Sequence, residues 1–165
     1  MAASKKRKGA KKYDAGRWLA RSVSHAECRR DANPLKDDQQ RDLALCYHMS
    51  FENMLKRGNE EDWYVLAATM NVALVLAEQG YGKEYISEIK SAMESLMNVE
   101  YRADHTGQWA FDGAGIQHMR VALGLHDQQC ALASGGEIKK VLKTIIERAN
   151  AGYMYAATEC QLEAA

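Results

Sequence analysis

A chain of 165 residues, 47% hydrophobic and 27% charged, is long enough to bury one sizeable core, and its single proline argues against a turn-rich β sandwich. Net charge is zero, yet residues 1–30 hold ten Lys or Arg against Asp14 and Glu27, a surplus of eight that the remaining residues balance with minus eight. Only the start of the chain is thus suited to polyanions, and the scattered Cys28, Cys46, Cys130 and Cys160 indicate no secreted disulfide scaffold.

Residues 1–12, MAASKKRKGAKK, carry six cations, no acid and no large apolar side chain. Such a segment buries too little surface to offset its ordering entropy, so a disordered basic tail is expected. Residues 13–32 read as a linker or a short docking helix, with Trp18, Leu19 and Val23 forming one weak apolar face among arginines. No apolar segment follows the basic start, as a secretory signal requires, so a cytosolic location with reduced thiols is expected.

Asn33-Pro34 places a capping residue before a proline at a first helical position and predicts a helix over 34–57, with Leu43, Cys46, Tyr47, Phe51, Met54 and Leu55 on one face. Gly58 ends it and Asn59 caps the next, a short αα-hairpin that forces antiparallel neighbours. The second helix, 59–79, begins with Glu60, Glu61 and Asp62, whose carboxylates meet the positive end of the helix dipole. Its run from Trp63 to Ala77 is broken only by Thr69 and Asn71. That run is too short for a membrane span, so a helix apolar nearly all round belongs at the centre of a helical core.

Gly80 and Gly82 close that helix. A third follows over 83–103, with Ile86, Ile89, Met93, Leu96 and Val99 inward, then a loop at 102–112. Asp112 caps a fourth helix, 113–133, with Phe111 and Ile116 as a hydrophobic staple and Met119, Leu123, His126 and Cys130 at core spacing. Ser134 and Glu137 match a capping box for a fifth, 134–150, built on Ile138, Val141, Leu142, Ile145 and Ile146. Residues 151–165 read as a C-terminal tail, and Tyr153, Met154 and Tyr155 are its candidates for docking. The expectation is an all-α, single-domain bundle spanning 33–150.

The chemistry-bearing residues point to no reaction. His126-Asp127 pairs an imidazole with a carboxylate, but adjacent helical residues point about 100° apart, and no nucleophile sits at a recognisable spacing. His126 on an apolar face reads as a hydrogen-bonded core residue. Asn71 inside the central helix needs a partner, most simply across a helix–helix contact that fixes register. Asn71, Glu88, His126 and Asp127 are the polar positions to watch, in case the fold gathers them in a pocket. His25, His48, His105, His118 and His126 are dispersed, so no metal ligand set and no cofactor are expected, and no glycine-rich phosphate loop is present. The methionines at 49, 54, 70, 93, 97 and 119 sit at core spacing and read as gap fillers. Trp109, in the loop, is a pin for that loop or a hot-spot candidate for a protein partner. Lys5, Lys6, Arg7, Lys8, Lys11 and Lys12 can hold phosphates or an acidic partner without reading sequence.

The segments DWYVLAATMNVALVLAEQGYGKEYISEIKSA, TGQWAFDG and ALGLHDQQCALAS, within residues 60–133, resemble a group of small helical proteins of proteobacterial phages, prophages and plasmids. The lysine-rich start departs from that pattern. The resemblance implies a mobile-element context and a helical fold, and carries no active site. It favours proteins that bind and disable a host macromolecule, an expectation by association. The expected function is therefore a non-enzymatic, intracellular, membrane-free inhibitor of a host protein complex, of the anti-defence type. The alternative is a nucleic-acid accessory protein acting through the basic tail.

Overall fold

In a computed structural model, residues 32, 33 and 36–151 are described. They form α1 (Asp37–Arg57), α2 (Glu60–Glu78), a 3₁₀ turn (Lys83–Tyr85), α3 (Ile86–Thr106), α4 (Gly113–Leu132) and α5 (Gly135–Asn150), with no strand among the described residues. The expected basic tail with Lys5, Lys6, Arg7, Lys8, Lys11 and Lys12, the 13–31 segment and Tyr153, Met154 and Tyr155 lie outside the described residues.

The architecture is an all-α bundle of five helices arranged around α2, which contacts each of the other four. Its composition dictates that place, because a helix apolar on every side needs a neighbour on every side. Leu66, Met70, Ala73, Leu76 and Ala77 are completely buried. The main core joins Leu66, Met70, Ala73 and Ala77 to Tyr47, Phe51 and Met54 of α1, Ile89, Leu96 and Val99 of α3, and Met119 and Leu123 of α4. A smaller cluster packs Val75 and Leu76 against Ala133 and Val141 at the α5 end.

Local chemistry sets the ends. The Asn59 side chain accepts from the Asp62 amide at 2.9 Å, while Asn53 and Asn59 donate to the two oxygens of the buried Asp62 carboxylate at 3.1 and 2.8 Å. That knot joins the end of α1 to the start of α2. A Cβ at Gly58 would meet the Trp109 carbonyl and the Met54 sulfur, so the hairpin requires glycine there. At the far end of α2, Gly80 has φ 107°, and the Gly80 and Tyr81 amides reach back to Ala77 and Leu76, a Schellman closure.

Two boundaries differ from expectation. The first helix starts at Asp37 behind Lys36, since Asn33 is not its cap but gives its carbonyl to the Gly135 amide at 3.1 Å. That bond satisfies an orphan donor in the first turn of α5. The third helix opens with the 3₁₀ turn and runs on to Thr106, shortening the expected 102–112 loop. It stops where Gly107, at φ 71°, donates to the Ala103 carbonyl at 2.7 Å. Some expected core positions are exposed: Leu43, Met49, Leu142 and Ile146 are 47, 55, 47 and 60% accessible. α1 and α5 each lean on α2 but scarcely touch one another, so these side chains have no facing helix.

The capping box of α5 carries a pH dependence. Ser134 donates through both its amide and its hydroxyl to Glu137 Oε2 at 2.7 Å. Hydrogen bonds from Tyr81 and Ser134 hold the Glu137 carboxyl down at about 2. Because the folded value lies below the unfolded one, its stabilisation is complete above about pH 4.5 and is lost as pH falls toward 2. Glu137→Gln is expected to flatten that part of an acid-unfolding curve followed by circular dichroism, leaving the region above pH 5 parallel to wild type.

Candidate functional site

Polar side chains gather where α4 faces α1, beside a cavity of about 300 Å³. Its apolar lining comes from Leu43 on α1, Val65, Ala68 and Val72 on α2, and Ile138 and Leu142 on α5. Cys46, Tyr47, Thr69, His126 and Cys130 supply its polar atoms. Helical periodicity explains the α4 wall: His126, Gln129 and Cys130 fall at i, i+3 and i+4 and share one face, whereas Asp127 turns toward α1.

The Gln129 side chain fixes the chemistry of this wall. Its Nε2 donates to the carbonyls of Ala73 at 3.0 Å and Tyr81 at 2.8 Å, which turns its Oε1 toward His126 Nδ1 at 3.2 Å. Two carbonyls accept only from the amide nitrogen, so the oxygen must face the imidazole and Nδ1 must carry the proton. Nε2 is then the lone-pair nitrogen, and the Cys130 thiol lies 3.5 Å from it. Burial pushes the His126 pKa down, and burial with the nearby Asp127 pushes the Cys130 thiol up to about 11. The pair is thereby held as thiol and neutral imidazole, not as thiolate and imidazolium.

Asp127 belongs to a different group. It accepts from Tyr47 Oη at 2.5 Å and from His48 Nε2 at 3.0 Å. Burial and Asp127 raise the Tyr47 phenol well above its usual range, so it stays a donor. The His48–Asp127 contact is roughly two-fifths exposed on both sides and contributes little stability.

Of the four polar positions singled out in the sequence, His126 alone is buried. Asn71 is half-buried and donates to the Ala67 carbonyl of its own helix at 2.9 Å, so it does not bond across to a neighbouring helix. Glu88 accepts from Ser87 on α3 at 2.8 Å, remote from the cavity. Asp127 is half-buried and faces Tyr47 rather than His126. Trp109 is half-buried, packed on the main core with its ring 5.9 Å from that of Trp63, which makes it a loop pin and not an exposed anchor. Gln129 and Tyr47 were not singled out. The i, i+3 step from His126 to Gln129 was the available signal, while the Tyr47–Asp127 bond spans eighty residues and has none. Among the described residues, no three His, Cys, Asp or Glu side chains are gathered to hold a metal, and no helix is long and apolar enough to cross a membrane.

Thiol reactivity checks the electrostatics. At pH 8 a thiol with a pKa of about 11 is roughly one-thousandth thiolate. Site-resolved alkylation is expected to label exposed Cys46 at least about 100-fold faster than Cys130. Equal rates would mean that Cys130 is neither buried nor suppressed.

No family model, curated protein or solved structure matches this chain.

Proposed function

We propose that this chain is a non-enzymatic binding protein that docks a protein partner on the apolar rim between α1 and α5. One observation carries the reading: Leu43 and Leu142 line a cavity and stand about half exposed, between two helices that hardly touch, and Ile146, one turn beyond Leu142 on α5, is exposed as well. Contiguous apolar surface of this kind is uncommon away from binding sites. The protonation states of His126 and Cys130 favour binding over catalysis, because neither group is poised to transfer a proton or attack as an anion near neutral pH. As partner we propose a protein complex of a bacterial host, inhibited by a chain of phage or mobile-element origin, on the strength of the resemblance within residues 60–133. The lysine-rich start supports a second reading, in which Lys5 to Lys12 hold nucleic acid.

Affinity capture from host lysate, with and without nuclease, separates the two when wild type is compared with a Leu142→Asp/Ile146→Asp double variant. Both side chains are about half exposed, so the variant should keep its Tm to within a few degrees. The docking reading expects a stoichiometric protein that survives nuclease and is captured at least about tenfold less by the variant. Capture that disappears with nuclease, or that the rim substitutions leave unchanged, would remove it.

A further inference from the structure

The cavity has a size and a polarity that together specify a ligand. An apolar cavity of about 150 Å³ stays dry and accepts one benzene ring. The volume here is about 300 Å³, room for a bicyclic ring. Its walls are aliphatic, from Leu43, Val65, Val72, Ile138 and Leu142, which disfavours any charged occupant.

The polar groups beside it narrow the choice further. The Tyr47 hydroxyl is committed to Asp127, and the Thr69 hydroxyl donates to the Val65 carbonyl of its own helix at 2.8 Å. Gln129 spends both amide hydrogens on backbone carbonyls. The lining thus offers a ligand mainly acceptors: the Tyr47 and Thr69 oxygens keep lone pairs, the Cys46 and Cys130 thiols are weak donors, and His126 Nε2, the most basic acceptor of the set, has only the Cys130 thiol at 3.5 Å as its neighbour. A ligand N–H or O–H placed there would make a stronger bond than the thiol does, and the thiol would lose little.

We propose that this cavity is a binding site for a small neutral bicyclic aromatic molecule carrying one hydrogen-bond donor, of which indole is the simplest member, with the donor on His126 Nε2. The inference goes beyond the protein-docking reading and does not depend on it.

Indole and indene test it, since they match in shape and differ in the N–H. Titrated calorimetrically into the full chain, indole is expected to saturate one site with a Kd of about 1 mM or tighter, and indene to bind at least about tenfold more weakly. His126→Phe is expected to erase the difference between the two. The wild-type comparison stands by itself whether or not that variant folds. No saturable binding of indole, or equal binding of indole and indene to wild type, would overturn the proposal. So would a Trp18→Phe variant that binds indole about tenfold tighter than wild type, because this chain's own indole would then be the occupant.

Discussion

Gln129→Met is expected to lower the stability of the bundle by about 3 kcal/mol, seen as a fall in Tm of about 10 °C. Methionine keeps the length and apolar bulk of the side chain, so little packing is lost at a position only 4% exposed. What goes is the clasp: the bonds to the Ala73 and Tyr81 carbonyls and the acceptor for His126 Nδ1. A buried donor left without a partner costs about 1–3 kcal/mol, and the Tyr81 turn loses its tie to α4 as well. The substitution also releases the imidazole, so His126 can change tautomer. A fall of less than about 2 °C in differential scanning calorimetry would show that the clasp contributes little.

Leu66→Ala is expected to cost about 3–4 kcal/mol. Leu66 is completely buried in the half of α2 that packs against the main core, where surrounding helices cannot close over a missing isobutyl group. Against a total stability of about 5–15 kcal/mol, that loss is a large fraction. Leu132→Ala, at a position 70% exposed, provides the contrast and should fall within about 0.5 kcal/mol of wild type in urea unfolding. Similar costs for the two would displace α2 from the centre of the core.

Much of this was legible in the sequence because it is local. The Trp63–Ala77 run, the Asn59, Asp112 and Ser134 caps and the glycines after Glu78 act within a few residues, and each appears where its chemistry places it. The start of α1 departs from the local pattern because Asn33 is recruited by Gly135, about a hundred residues away, and no local pattern reports such a bond. Leu142 and Ile146 have core periodicity, yet periodicity says which face is apolar and not whether a neighbour covers it. The cavity draws on four helices and the Tyr47–Asp127 bond crosses between two, so both follow from packing angles that single-helix patterns do not contain.

Whether α4 presents a fixed neutral acceptor to a binding cavity, rather than a proton-transfer group, is tested most directly by nitrogen NMR of the His126 side chain in the full-length protein. The expected spectrum at neutral pH shows a single tautomer, protonated on Nδ1 and bare on Nε2, because burial pushes the imidazole's pKa below its ordinary value and Gln129 fixes its orientation. A ring that is protonated on Nε2, or that titrates near its ordinary value of about 6.5, would contradict it.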